Sequence, residues 1–466
     1  MVFLMDFKEI RKLKEIVLKQ VKPSREELEK EERLVARLKK RIKGIEGKHV
    51  DVIVAGSIAR NTQLKDDKDI DVFVLFPESL PREEFVKEGI RIAKECFKGH
   101  KWEEAYAEHP YIRADVKGFD VEIVPSYKIK NTKHLKSSVD RTPFHNAYLL
   151  KKLKEKQKDD VRVLKKFLKG IDLYGADLKT RGFSGYLCEL LILYYGNFES
   201  LLMKASEWPE SIVIDIEKHY KKTAPLFKHF NSSFIVIDPT DKERNVAAAL
   251  AEEQLERFEL ASGLFLKKPD IDFFNPGKPG AFSLNDLKTE FKKRNLSGIL
   301  LARPQGFEDT VWGQLYRFSG KLEQKLKELD FDVIRKAEYM DEKDIILLIE
   351  LKELSLPEIK KRTGPKAEDK ANVNAFIEAN KKLIVSGPRI EEGRIVIEVK
   401  RKTSSVGKAL KALLEEIKKE NLRLVNEGLK EKQEILAEKE LLNAARRKPG
   451  FRLFLTKYFK GKEAFF

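Results

Sequence analysis

The stretch VDVIVAGSIARNTQLKDDKDIDVFV, residues 50–74, decides the fold of this chain. Val50 to Ala55 is a short β-rich run that stops at Gly56-Ser57, and Asp69 to Phe76 is a second, followed by Pro77. Between them Ser57 to Leu64 has room for one or two helical turns. Side chains alternate faces along a strand, so Asp69 and Asp71 share one face while Ile70, Val72 and Val74 take the other. Two carboxylates held side by side on a rigid, apolar-backed element are hard oxygen ligands. Mg²⁺ takes such ligands together with waters and substrate phosphates. Read alone, a pair of aspartates at a strand edge is usually a solvated face, and a Gly-Ser turn means less still.

Working outward, a third acid comes from the run Phe119 to Val124, where Asp120 and Glu122 share one face and Phe119, Val121 and Ile123 take the other. Either of these two acids can supply the third ligand. Two strand-like runs, Ala105–Val116 and Phe119–Tyr127, meet at the turn pair Lys117-Gly118. Pro81 to Lys98 has helical periodicity, and Met1 to Ile45 is mostly helical with a break near Pro23-Ser24, where Ser24 with Glu26 and Glu27 reads as an N-cap. The order predicts a small mixed sheet with helices packed on it. Three carboxylates around two metals would allow in-line attack of a hydroxyl on an α-phosphate, with pyrophosphate leaving. Gly56-Ser57, at a strand-to-helix turn, would offer backbone N–H groups and a hydroxyl to the triphosphate, and a Cβ at Gly56 would obstruct that approach.

Beyond this head, His145 to Gly196 reads as helical, with Val161, Leu164, Phe167 and Leu168 as one apolar face, and a further helix is expected from Asn245 to Leu266. The Pro/Gly loop from Phe274 to Gly280 is the clearest boundary. After it, helices near Leu284–Arg294 and Val311–Leu329 alternate with strands near Ile299–Ala302, Phe331–Ala337 and Ile345–Leu351, and the chain from Lys400 is Lys-rich and largely helical. The expected fold class is a multidomain α+β protein with three parts: residues 1–140 as the catalytic head, 141–268 as a helical central domain and 269–466 as an α+β body and tail. Phe451, Phe454, Tyr458 and Phe459 are candidates to dock on that body.

Composition narrows the class. In 466 residues, Lys and Arg number 93 against 76 Asp and Glu, a formal charge of +17, which points to a polyanionic partner, nucleic acid or an acidic membrane surface. The 42% hydrophobic content argues against a wholly disordered chain. Only two cysteines, Cys96 and Cys188, exclude a disulfide framework and a thiolate zinc site and suggest a reducing compartment. The N-terminal residues carry charges at helical spacing, which fits neither a signal peptide nor a membrane anchor, so a soluble, cytoplasmic protein is expected.

Gly56-Ser57 with Arg60, followed by Asp69 and Asp71, resembles the DNA polymerase β-like nucleotidyltransferase superfamily. Longer motifs narrow the likeness: Tyr106–Tyr111, Ser138–His145, Arg181–Leu190 and Glu243–Ala247 resemble the archaeal, class I CCA-adding enzymes, which are tRNA nucleotidyltransferases. The resemblance is strong from about Asp51 to Leu250 and weaker at Gly364–Asp369 and Val399–Lys402. It implies a polymerase β-like head, a helical nucleotide-binding domain and a tRNA-binding body. It also implies roles for single residues. Ser57 and Arg60 match triphosphate contacts, as part of the Gly56 turn. Asp69 and Asp71 match the two metal-binding aspartates, with Mg²⁺ as the expected cofactor. Glu122 stands where the family has an aspartate, one methylene shorter. His145 matches a nucleotide-contacting histidine, Lys165 a phosphate-binding lysine, Tyr174 a tyrosine near triphosphate and ribose, and Arg244 an arginine that helps select C and A. Read alone, Lys165 looks like a surface charge in a Lys-rich helix, and Arg244 could pair with Glu243 or Asp241.

The expected activity is template-independent addition of C, C and A to a tRNA 3′ end from CTP and ATP. The expected partners are the tRNA acceptor end, ATP and CTP, with no membrane. A homodimer is one expectation for the oligomeric state, which the sequence leaves open. Two other readings stay open at this point. One is a poly(A) polymerase or oligoadenylate synthetase-like relative. The other is a catalytically dead RNA-binding protein, favoured only by the departure at Glu122. The segment Lys360 to Lys370 and the Lys-rich tail are candidates for backbone contacts to A-form RNA.

Overall fold

The computed structural model describes residues 7–46, 50–106, 108–277, 280–463 and 465–466. Expectations that fall on Met1–Asp6, on Ala107 and on Lys278-Pro279 lie outside the described residues. The chain divides into two compact units, Met1–Gly277 with Glu463–Phe466, and Lys278–Lys462.

Helix α1 (Phe7–Val21) buries Ile10, Leu13, Val17 and Val21, a one-faced helical spacing. Helix α2 (Arg25–Glu46) starts at the expected cap: the Glu27 N–H donates to Ser24 Oγ at 3.2 Å and the Ser24 N–H to Glu27 Oε2 at 2.8 Å. The head continues with β1 (Asp51–Ala55), α3 (Gly56–Arg60), β2 (Asp69–Pro77), α4 (Arg82–Cys96), β3 (Trp102–Tyr106), β4 (Pro110–Val116) and β5 (Phe119–Lys128). Its five-stranded sheet has the order β1-β2-β5-β4-β3. Neighbours are antiparallel except β2 and β5, which run parallel. Ile70, Val72, Val74, Val121 and Ile123 pack beneath it against Phe85 and Ile92 of α4 and Leu34, Leu38 and Ile42 of α2.

The helical part holds α5 (Thr142–Lys152), α6 (Glu155–Gly170), α7 (Gly185–Tyr195), α8 (Phe198–Ala205), β6 (Ile212–Ile214), α9 (Ala224–Phe230), β7 (Phe234–Asp238), β8 (Asp241–Asn245) and α10 (Glu252–Lys267). The three strands form a small sheet, β6-β7-β8, inside a region expected to be helical. Asn245, expected to open a helix, instead ends β8. Its side chain donates to the Phe234 carbonyl at 3.1 Å and accepts from the Val236 N–H at 2.9 Å, which pins it to β7.

Two segments pack differently from the expected partition. The apolar face of α1 joins the helical core with Phe167, Leu168 and Leu187, not the sheet core. Phe273 and Phe274, expected with the C-terminal body, also lie in that helical core. The reason is aromatic packing: Phe167 of α6 lies 5.8 Å from Phe273 and 5.6 Å from Phe274, ring centre to ring centre.

In the second unit come α11 (Leu284–Lys292), β9 (Asn295–Ala302), α12 (Glu308–Glu328), β10 (Val333–Met340), β11 (Asp344–Leu351), β12 (Ile359–Lys366), α13 (Lys370–Asn380), β13 (Ile384–Glu391), β14 (Arg394–Lys400), α14 (Val406–Ile417), α15 (Arg423–Glu431), β15 (Gln433–Leu436), α16 (Glu438–Arg447) and α17 (Pro449–Lys460). They build a four-stranded sheet, β10-β11-β9-β15, and a three-stranded one, β12-β14-β13. Phe451, Leu455, Tyr458 and Phe459 of α17 pack on Leu287 and Phe291 of α11, so the aromatic tail closes a core of this unit. Among the described residues no helix is long and apolar enough to cross a membrane.

The helical core rests on Phe167, which is 0% exposed and packs against Phe198, Phe258 and Phe265 as well as Phe273 and Phe274. Phe167→Ala is expected to destabilise the first unit by about 3–5 kcal/mol. Urea unfolding measures this, and a loss below about 1 kcal/mol would show that the site collapses around the missing ring.

Candidate active site

The site begins at the end of β1. Gly56 has φ +74°, and a Cβ placed on it would collide with Oδ2 of Asp71. Glycine is therefore needed twice, for the left-handed backbone and for the carboxylate lying against the turn. Asp71 pairs in register with Ala55 on one side and with Glu122 on the other, and Asp69 pairs with Asp120. Partners in a parallel register point to the same side of the sheet. The apolar residues between them, Ile70 and Val121, are 0% exposed on the opposite face. Asp69, Asp71, Asp120 and Glu122 thus crowd one face of two adjacent strands.

The two acids of β5 differ in their partners. Arg113 of β4 grips Asp120, with Nε 2.7 Å from Oδ1 and 2.6 Å from Oδ2. A second nitrogen of the same guanidinium closes the fork. Glu122 is held more loosely: the Tyr111 hydroxyl donates to its Oε1 at 3.3 Å, and Arg113 Nε stands 3.9 Å away. Burial, then the charge of Asp71, pushes the Glu122 carboxyl up to about 7. Burial and Asp69 raise Asp71, and burial and Asp120 raise Asp69. Among the described residues no three His, Cys, Asp or Glu side chains are gathered closely enough to make a ready metal cage. Like charges on neighbouring strands repel. The donor set Asp69, Asp71 and Glu122 nonetheless suits a divalent cation: hard oxygens, raised in proton affinity by burial and then by acidic neighbours.

The helical domain closes on this turn from the other side. Arg60, at the end of α3, is 7% exposed and turned inward. Its Nε and Nη2 reach Oε1 and Oε2 of Glu189, both at 2.9 Å, and its Nη1 donates to Asn146 Oδ1 at 3.2 Å. Its guanidinium fork is thus held by a carboxylate that is 0% exposed. The Thr62 hydroxyl donates to Glu189 at 2.5 Å. Lys165 is not the surface charge its Lys-rich surroundings suggest: it is 1% exposed and donates to the Thr62 carbonyl at 3.0 Å. Burial pushes its pKa down. Tyr174 lies beside it. A Cβ on Gly185 would sit 3.2 Å from the Tyr174 hydroxyl and 3.7 Å from Lys165 Nζ.

A third cluster gathers around Asp238, the last residue of β7. His145 Nε2–H donates to Asp238 Oδ2 at 2.7 Å, and Arg244 Nη1 donates to the same oxygen at 2.8 Å. The Tyr186 hydroxyl donates to Oδ1 at 3.2 Å, and its ring stacks on His145 with centres 4.2 Å apart. Arg244 therefore pairs with Asp238 rather than with Glu243 or Asp241. The three clusters feel one another: the charge of Arg60 acts on both Asp71 and His145, and that of Asp69 acts on Tyr174.

Glu189, Asp238 and Arg113 were missed by sequence reasoning. Glu189 had a signal, since it is a lone acid inside the apolar run Leu187 to Tyr195. Asp238 likewise closes the apolar run Phe234 to Ile237. Arg113 had none, because only the β4–β5 pairing brings it to the acids.

A nucleotidyltransferase is the class that this head defines, and residues 32–145 match the family model described as nucleotidyltransferase domain. Residues 159–275 match the second domain of tRNA nucleotidyltransferase, and residues 294–438 match the C-terminal domain of the CCA-adding enzyme. A CCA-adding enzyme of Methanococcus maripaludis is 40% identical over 387 residues, 80% of this chain and 85% of that protein. One from Methanosarcina mazei is 35% identical over 460 residues, 96% of this chain and 98% of that protein. The chain belongs to the CCA-adding enzyme family. Among solved structures, the Cid1 poly(U) polymerase is a distant likeness, 16% identical with a TM-score of 0.46, covering 57% of this chain and 98% of that one.

Glu189 is the buried counter-ion of Arg60, so Glu189→Ala would leave a guanidinium buried without its partner. The expected cost is about 3–5 kcal/mol. Chemical denaturation reads it, and a cost under about 1 kcal/mol would mean that Arg60 is free to turn to solvent.

Proposed function

We propose that this protein adds C, C and A to the 3′ end of tRNA without a template, using CTP and ATP and releasing pyrophosphate. The observation that carries the reading is the in-register carboxylate face of β2 and β5 beneath the Gly56 turn, in a chain of the CCA-adding enzyme family. Asp69, Asp71 and Glu122 would hold the divalent cation, Mg²⁺ being the expected one. Such an ion, when bound, lowers the pKa of the attacking hydroxyl and neutralises charge on the leaving pyrophosphate. Glu122 serves as third ligand in preference to Asp120, because Arg113 already occupies both oxygens of Asp120. The register sets Glu122 directly opposite Asp71. That alignment supports a catalytic role for Glu122 over the reading of a catalytically dead protein.

The rest of the work falls to the chain's own groups. Gly56 and Ser57 offer backbone N–H groups and a hydroxyl toward the triphosphate. Arg60, anchored on Glu189, positions that turn and adds positive charge beside Asp71. Lys165 and Tyr174 line the same side, His145 contacts the nucleotide, and Arg244 helps select C and A. The basic surplus of +17 supplies sequence-independent affinity for the RNA backbone. Not every cation of the Lys360 region is free for it: Lys360 and Arg401 share Asp330, and Lys361 pairs with Glu391.

With tRNA lacking its end, Mg²⁺ and single nucleotides, CTP should be used first for two additions, and ATP once afterwards. Incorporation of A alone into any RNA would instead indicate the poly(A) polymerase-like reading. Glu122→Gln should lower turnover about 100-fold or more, the scale on which loss of one charge-stabilising group is felt. Asp120→Asn should cost much less in the same primer-extension assay, and the reverse order would exchange their assigned roles.

A further inference from the structure

A cavity of about 410 Å³ lies behind the Gly56 turn, walled by α2, β1, α3, α5 and the loop that follows α3. Small-molecule sites span roughly 300–1,000 Å³. Among the described residues none of β2 or β5 lines it, so it is separate from the carboxylate face. Much of its wall is apolar, with Leu28 and Val35 from α2 and Ile58 from α3. Leu150 of α5, which also lines it, is 52% exposed, so the cavity opens to solvent.

Its buried polar groups are unequally satisfied. Both ends of the Asn146 amide are engaged: Oδ1 accepts from Arg60, and Nδ2 donates to the Val54 carbonyl at 3.3 Å. Gln63, 1% exposed, donates through Nε2 to Glu31 Oε2 at 2.7 Å. Its Oε1 is buried and has no hydrogen-bond partner among the described residues. Such an acceptor is costly to leave unpaired. Glu31, 5% exposed, lines the same cavity together with Glu32 and Lys39, two acids against one lysine. Burial raises the Glu31 carboxyl, the uncharged Gln63 amide offsets that in part, and Glu27 adds to it. The floor therefore holds two neighbouring acceptors and lacks a positively charged donor.

An alkylammonium ion supplies what is missing. It has several N–H groups for the two acceptors, and its charge answers that of Glu31. Its methylene stem gains by leaving water for the apolar wall. A bare metal ion would make no use of that wall, and an anion would be repelled by Glu31 and Glu32.

We infer that this cavity is a binding site for a small aliphatic amine, with the ammonium head on Gln63 Oε1 and Glu31 and the stem along Leu28, Val35 and Ile58. The occupant would rest against the back of α3, the helix that ends in Arg60.

Butylammonium chloride is the probe, titrated into the whole protein without RNA or nucleotide, against sodium chloride at matched ionic strength. Calorimetry should show one saturable site. In protein labelled with nitrogen-15 glutamine, the side-chain amide resonance of Gln63 should move along the same binding curve. Glu31→Gln keeps the shape and an acceptor for Gln63 but removes the charge. In the folded variant the affinity for butylammonium should fall at least about tenfold, the scale of a lost hydrogen bond to a charged group. An unchanged affinity there would overturn the inference. Should that variant fail to fold, sodium butyrate on the wild type decides, since it carries a similar stem and the opposite charge. Butyrate binding at least about tenfold more weakly than butylammonium supports the inference. Equal binding of the two, no saturable binding of butylammonium, or a Gln63 amide that does not move would overturn it.

Discussion

The parallel pairing of β2 with β5 sets the chemistry of this molecule. It aligns Asp71 with Glu122 and Asp69 with Asp120, so that four acids share one face. Left to themselves such charges would push apart; the proton affinities of Asp69, Asp71 and Glu122 are raised by burial first and by their acidic neighbours second. What holds them in place is the other face of the same strands. Ile70, Val72, Val121 and Ile123 are 0% exposed and packed on α2 and α4, so a slip of one residue would bury the acids and expose the core. The hydrophobic core thus stabilises an arrangement that electrostatics alone opposes. A bound divalent cation would relieve that opposition.

The helical domain contributes through buried charge. Glu189 and Asp238 each sit at 0% exposure and each organises a set of cationic or polar partners. Glu189 gathers Arg60 and Thr62 behind the Gly56 turn, and Asp238 gathers His145 and Arg244. Breaking such pairs is costly because one charge is left buried alone. Rigid placement follows from that cost. The groups around the turn and those around Asp238 are held before any substrate arrives, which lowers the ordering that binding would otherwise require.

Much of this was legible in the sequence, for identifiable reasons. The alternation of acids and apolar residues at Asp69–Val74 and Phe119–Val124 carries both strands and the face each acid takes. Ser24 and Glu27 read as a cap and form one. Other features depend on contacts distant in the chain. Lys165 looks solvated because Lys166 and Lys169 flank it, and only the packing of α6 on the loop at Thr62 buries it. Arg60 reads as a free phosphate fork until α7 brings Glu189 to it. The run Phe234 to Ile237 marks β7, but β6 has three residues and β8 (Asp241 to Asn245) is wholly polar, so nothing local shows that the three pair into a sheet. The strand β12 likewise hides among lysines and arginines.

The central claim is that Asp69, Asp71 and Glu122 form one divalent-cation site while Asp120 stays with Arg113. Mn²⁺ binding to the protein with CTP present, followed by electron paramagnetic resonance, tests it without turnover. The account predicts that Asp71→Asn and Glu122→Gln each weaken Mn²⁺ binding by about tenfold or more, on the scale of lost ligands and their supports, whereas Asp120→Asn leaves it close to wild type. Undiminished Mn²⁺ affinity in the Glu122 variant, with loss in the Asp120 variant, would contradict it.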